Sequence, residues 1–187
     1  MVGKKWKIAV KSDLEPALAF FETVKDLTDP PFTTYPHGLR GTLELLLAEG
    51  RLLVADAAED ALPEPRPRIV GLLGYFHGTP RLGEDGGFRY EGPHIGYVYC
   101  FVVDPEWRNP YSYLAVPFLA QCLLADGHEE ARFRTYRDNN DLINRLYRKH
   151  GRFIREETNL QGAKSNLYGA DVRTWVERFG HYESTGS

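Results

Sequence analysis

The side chains able to do chemistry gather between His94 and His150, in HIGYVYCFVVDPEWRNPYSYLAVPFLAQCLLADGHEEARFRTYRDNNDLINRLYRKH. Cys100 could serve as a nucleophile, since a thiolate attacks carbonyl carbon readily. It stands in an apolar run with no evident base beside it, and so reads as a buried, inert thiol. His94 could move a proton near neutral pH, or simply be an exposed or structural histidine. Asp138, Asn139, Asn140 and Asp141 are residue types that cap helix N-termini. Arg145, Arg148, Lys149 and His150 crowd the far end of the same helix, where the dipole favours cations. They read as a solvated basic end rather than as a phosphate site. No His, Cys and carboxylate set has zinc-like spacing, and no metal is expected.

These residues need elements to position them. Ile95 to Val103 is an apolar strand stopped by Asp104-Pro105. A loop through Arg108-Asn109-Pro110 leads into a helix ending near Ala125-Asp126-Gly127. Pro117 would remove one of that helix's hydrogen bonds, so the helix should start late or be kinked. Ala131 to Tyr136 is the next strand, followed by the basic helix. Simple alternation would put Tyr97, Tyr99 and Phe101 on one face and Val98, Cys100 and Val102 on the other.

Upstream, Trp6 to Val10 reads as a strand, and Ser12-Asp13-Leu14-Glu15 as a capping box. Leu14, Leu18, Phe21 and Val24 mark the apolar face of the helix that follows. The proline-rich loop Thr28 to Gly38 precedes a second helix, marked by Leu39, Leu43, Leu46 and Leu47 and ended by Gly50. Arg51 to Ala57 and Ile69 to Phe76 are strands around a proline-rich loop, Ala58 to Pro67. His77 to Pro93, with five glycines, reads as a long hairpin connection. Phe153 to Thr158 and Ser165 to Tyr168 read as late strands. Val172, Trp175, Val176 and Phe179 form the apolar face of a C-terminal helix. The order is β-α-α-β-β-β-α-β-α-β-β-α, an α/β fold with a mixed, mostly antiparallel sheet.

The bulk composition excludes several classes. With 23 basic and 26 acidic residues, the net charge of −3 gives no reason to expect nucleic acid or a membrane surface as partner. No apolar run approaches the ~20 residues of a membrane span, and the basic N-terminus lacks the apolar core of a signal peptide. Two cysteines make no disulfide framework, which suits a reducing cytoplasm.

The same order and residues resemble the GNAT family of N-acyltransferases. Leu53-Val54-Ala55-Asp56 and Ile69-Val70-Gly71 are similar to that family's second and third strands. Tyr97 to Val103 followed by Asp104-Pro105-Glu106-Trp107-Arg108 resembles its fourth strand and the V-x-P-x-x-R start of its cofactor loop. Asn140, Ile143, Leu146-Tyr147 and Gly151-Arg152-Phe153 resemble its N-x-x-A-x-x-L-Y-x-x-x-G-F pattern. The resemblance covers roughly Lys4 to Tyr168. It implies one acyltransferase domain over residues 1–181, with a sheet of about six or seven strands flanked by about four helices, and a frayed tail over 182–187.

The resemblance implies the following roles. The pantetheine arm of acetyl-CoA, or of another acyl-CoA, would pair with the backbone of Phe101, Val102 and Val103. Its pyrophosphate would sit on the start of the third helix, at Arg108, Asn109, Tyr111, Ser112 and Tyr113, where backbone amides favour anions. The family has small residues where Tyr111 and Tyr113 stand. Asn140 would position the donor and Tyr147 would protonate the leaving thiolate, while His94 or a water takes the proton of the incoming amine. The implied reaction is acyl transfer from CoA to a primary amine of a small or amino-acid-like acceptor. The acceptor would lie between the Thr28 to Gly38 loop, the His77 to Pro93 loop and the fourth strand. Two alternatives stay open: another donor such as an acyl carrier protein, or a non-catalytic binding module. The exposed sheet edges would suit a homodimer.

Overall fold

The computed structural model describes residues 6–25, 36–57, 69–136, 145, 148–158 and 164–179, the side chains of residues 108–113 and 136 excepted. The strands are β1 (Trp6–Ile8), β2 (Gly50–Asp56), β3 (Ile69–Leu82), β4 (Phe88–Val103), β5 (Glu130–Tyr136), β6 (Arg152–Thr158) and β7 (Lys164–Asp171). The helices are α1 (Leu14–Val24), α2 (Gly38–Glu49), α3 (Arg108–Ala125) and α5 (Val172–Phe179), with α4 represented by helical residues 145 and 148–150. The seven strands form one sheet in the order β1-β2-β3-β4-β5-β7-β6. Every neighbouring pair is antiparallel except β4 and β5.

Both faces of the sheet are apolar because both are covered. Leu53, Leu73, Tyr75, Val98 and Phe133 pack on one side with Ala115, Leu119 and Leu123 of α3 and with Val172 and Trp175 of α5. Leu52, Val54, Leu72, Phe76 and Val102 pack on the other with Phe20 and Phe21 of α1 and Leu43 and Leu46 of α2. This double burial explains the near-continuous apolar runs of β2 and β3.

Two expected features differ. The capping box on Ser12 and Glu15 does not form. A 3-10 turn over Lys11–Asp13 precedes α1, and the Asp13 carboxylate accepts the Val10 N–H at 2.9 Å. Glu15 instead accepts two hydrogen bonds from Arg40 of α2, at 2.8 and 3.1 Å. The long connection His77 to Pro93 is mostly strand. β3 and β4 stay paired from Thr79↔Glu91 to Leu82↔Phe88, with a register shift between His77 and Thr79. Gly78, at φ 117°, lies within that shift; glycine there allows a bulge instead of ending the strand.

The loops 28–35 and 58–67, the 138–141 cap and the tail 182–187 lie outside the described residues. Among the described residues no helix is long and apolar enough to cross a membrane.

Candidate active site

The site begins where β4 and β5 part. They pair in parallel over only three positions, Ile95↔Glu130, Gly96↔Ala131 and Tyr97↔Arg132. Beyond Tyr97, β4 follows β3, with Leu73↔Phe101, Leu72↔Val102 and Gly71↔Val103. β5 follows β7 all the way to Tyr136↔Ser165. The two central strands therefore diverge, and the β5-facing edge of Phe101, Val102 and Val103 lies outside any strand ladder among the described residues. Such an edge presents N–H and C=O groups to an extended, amide-bearing ligand.

A bulge marks the point of divergence. Gly74 pairs with Cys100 and Tyr75 with Val98, which leaves Tyr99 as the extra residue. The inserted residue overturns the simple alternation expected for this strand. Phe101 joins Val98 on the α3 side, with its ring 6.1 Å from that of Trp6. Cys100 and Val102 join Tyr99 on the α1 and α2 side.

Directly after β4, Asp104 builds the approach to α3. Its N–H donates to the Val70 carbonyl, its own carbonyl accepts from Trp107 at 2.9 Å, and its carboxylate accepts the Glu106 N–H at 2.9 Å. α3 then begins at Arg108 and runs through Pro117. It does not start late: Pro110 falls in the first turn, where an amide donor has no intrahelical partner anyway. The N-cap residue Trp107 makes no side-chain cap hydrogen bond, and the first amides of a helix have no intrahelical partner, so this end directly after β4 suits an anion. The backbone of Arg108, Asn109, Tyr111, Ser112 and Tyr113 is that first part of the helix, their side chains lying outside the described residues. No described non-glycine residue has a positive φ, so tyrosine at 111 and 113 brings no backbone strain.

His94 is not brought to this opening. It is exposed and sits at the paired end of β4 and β5. Seven residues, roughly 23 Å of strand, separate it from Phe101. Its carbonyl instead accepts the Glu129 N–H at 2.8 Å. Polar groups that the sequence did not single out lie on the α1 and α2 side of the opening. Arg134 of β5 lies 5.5 Å above the Tyr97 ring and donates to Glu157 of β6 at 2.8 Å. Glu157 also accepts from Arg155 at 3.1 Å. A cleft of about 170 Å³ beside them is lined by Glu156, Glu157, Lys164 and Ser165, among others.

Cys100 is fully buried, and burial pushes its thiol up to about 12. Thiolate is then scarce at neutral pH, and the thiol is no nucleophile. Cys100→Ala is expected to leave turnover at the wild-type level. Mass spectrometry of the native protein after a maleimide pulse at pH 7.5 should find Cys100 unlabelled. Loss of turnover, or rapid labelling, would restore it as a candidate.

Asn140 and Tyr147 lie outside the described residues; the described helical residues 148–150 are held in two places. The Trp175 indole donates to the His150 carbonyl at 3.4 Å, and the Arg178 guanidinium lies 2.9 Å from His150 Nδ1. Burial, then Arg178 and Lys149, hold the His150 pKa below the ordinary value, so the neutral ring can accept that bond.

No protein-family model matches the sequence, and neither does any curated protein. Solved structures do match. An acetyltransferase of the GNAT family from Streptococcus pneumoniae has a TM-score of 0.59 and 16% identity, with 90% of this chain and 99% of that one covered. Another, from Staphylococcus aureus Mu50, has a TM-score of 0.60 and 13% identity, covering 91% and 99%. A chain of the NatC complex bound to Gag peptide and CoA has a TM-score of 0.60 and 11% identity, covering 89% and 97%. At these identities the likeness shows the fold, which is that of the GNAT acetyltransferases.

Proposed function

We propose, on the premise of this GNAT fold, an N-acyltransferase that moves an acyl group from acyl-CoA to the primary amine of a small or amino-acid-like acceptor. The observation that carries the reading is the divergence of β4 from β5 beyond Tyr97, with the N-terminus of α3 shortly after the end of β4. One edge suits an extended amide chain, and the helix end suits its pyrophosphate. Both lie at one end of the sheet, as a pantetheine thioester requires. The cleft beside Glu157 supports an acceptor approaching from the opposite face.

In this reading the amine attacks the thioester carbonyl within a ternary complex, and the C–S bond breaks. Tyr147 gives its proton to the departing thiolate, and a water carries off the ammonium proton. A water replaces His94 here because His94 stands at the closed end of the strand pair. The formal charge of −3 weakly favours a small amine over a strongly basic peptide tail.

Calorimetric titration with acetyl-CoA, desulfo-CoA and longer acyl-CoAs tests the proposal. Micromolar, stoichiometric binding is expected, and the preferred chain length would name the donor. Absence of binding to every CoA species would overturn CoA dependence and turn attention to a carrier-protein donor.

A further inference from the structure

A second constellation lies beside the stretch where β4 is paired with β5, away from the opening, and plays no part in the acyl-transfer reading. α3 ends at Ala125 with Asp126 as its C-cap, and Gly127, at φ 79°, turns the chain toward β5. The turn is fixed by Gly127 N–H donating to the Leu124 carbonyl and His128 N–H to that of Leu123. His128 is thereby driven inside, with 3% of its surface exposed. Room for its ring comes from Gly96, where a Cβ would lie 2.0 Å from Leu123 and 3.2 Å from His128.

The orientation of the two histidines is informative. His128 Nδ1 lies 3.2 Å from the Pro93 carbonyl, and His128 Nε2 lies 2.9 Å from His77 Nδ1. A carbonyl only accepts, so the proton of neutral His128 is on Nδ1 and the lone pair on Nε2 points at His77. This arrangement is the one found in metal-binding histidines, where a carbonyl on the outer nitrogen orients the ring and raises its basicity.

Asp126 completes the set, since its carboxylate and the two ring nitrogens all lie within 4.8 Å of one another. Arg51 donates to both carboxylate oxygens, at 3.1 and 3.0 Å, and the Tyr75 hydroxyl donates to Oδ2 at 2.7 Å. A carboxylate offers about four lone-pair sites, so three are used and one remains on Oδ1. Burial works against the charge, yet Arg51 and Tyr75 hold this carboxyl below its ordinary range.

We propose that His77, Asp126 and His128 bind a divalent transition-metal ion, zinc being the best match, which ties the end of α3 to the β3–β4 hairpin. Two imidazoles with one carboxylate suit zinc, nickel or copper and not the oxygen-seeking magnesium or calcium. Metal–nitrogen bonds of about 2.0–2.1 Å at a tetrahedral angle set the two nitrogens roughly 3.3 Å apart. The present pair has only to open slightly, with the His77 proton moving to its other nitrogen. Three protein ligands leave a fourth position for water.

The test uses the full chain and needs no acyltransferase activity. Cobalt(II) titration should give one equivalent of visible d–d absorption, and added zinc should bleach it. His77→Phe, which keeps the ring volume, and Asp126→Asn should each weaken cobalt binding by at least the ~10–100-fold that losing a mere supporting partner costs. Circular dichroism should report both variants folded. No uptake of cobalt or zinc by the wild type at micromolar levels would overturn the proposal. Undiminished uptake by folded His77→Phe would do the same, by placing the metal elsewhere.

Discussion

Tyr147→Phe is expected to lower turnover at saturating acyl-CoA by about 100-fold or more, the usual contribution of a placed general acid. Acyl-CoA affinity should stay at the wild-type value. Phenylalanine keeps the size and shape of the tyrosine ring, so a purely structural role for residue 147 would survive the change. Only the hydroxyl is removed. A phenol with a pKa of ~10 is fully protonated at neutral pH and lies little above a thiol's ~8.5. In the proposed reaction it would hand over its proton as the C–S bond breaks, when charge builds on the sulfur. Trp175 and Arg178 of α5 hold His150, which follows Tyr147 by three residues in the sequence. Steady-state turnover measured beside calorimetric affinity separates the two roles. Unchanged turnover would remove Tyr147 from the chemistry. A joint loss of turnover and donor affinity would assign it to positioning.

Much of this architecture is legible because its signals are local. The strand and helix order follows from apolar periodicity, and the strand ending at Asp104-Pro105 followed by Arg108 carries the resemblance that locates the opening. What escapes are features set by a partner strand. The bulge at Tyr99 arises because Tyr75 pairs with Val98 while Gly74 pairs with Cys100, and nothing in the run YVYCFVV marks which residue is extra. One inserted residue exchanges the faces of everything beyond it. The outer hairpin fails for a related reason. Gly78 and Gly92, at φ 117° and 73°, read as loop punctuation, yet they accommodate kinks in strands that continue to Leu82 and from Phe88.

The site residues divide in the same way. Phe101, Val102 and Val103 can be placed on the diverging edge from sequence, and the role proposed for them is a backbone one, which any strand at that position offers. Arg134 and Glu157 are missed because their pairing depends on β6 returning beside β7 rather than β5. His77 and His128 stand 51 residues apart, and an Asp-x-His pair alone has no metal-site spacing. Only the turn at Gly127 brings them together. His94 attracts notice because it adjoins the fourth strand, but nearness in sequence is distance along an extended chain.

Phe133→Ala is expected to destabilise the protein by about 3–5 kcal/mol, the usual cost of removing a buried aromatic ring. Phe133 is fully buried on β5. Its ring lies 5.4 Å from that of Trp175 and 6.1 Å from that of Tyr168, nearly parallel to the latter at 3°. The alanine would leave a void between β5, β7 and α5, with rigid rings on two sides that cannot collapse into it. Against a total stability of about 5–15 kcal/mol, this is a large fraction. At about 2–4 °C per kcal/mol for a chain of this size, melting should fall by roughly 6–20 °C. Phe133→Leu refills most of the volume and should recover much of the loss. The same ring stack packs β5 against β7 and α5 directly after the last β4–β5 pair, Tyr97↔Arg132. Phe133→Ala, assayed below its melting temperature, should therefore weaken acyl-CoA binding as well as stability. Phe20→Ala, in the α1 core on the opposite face, should lower melting comparably and leave acyl-CoA affinity unchanged. Equal affinity losses in both variants would mean that the opening depends on global stability, and that the stack around Phe133 has no particular part in shaping it.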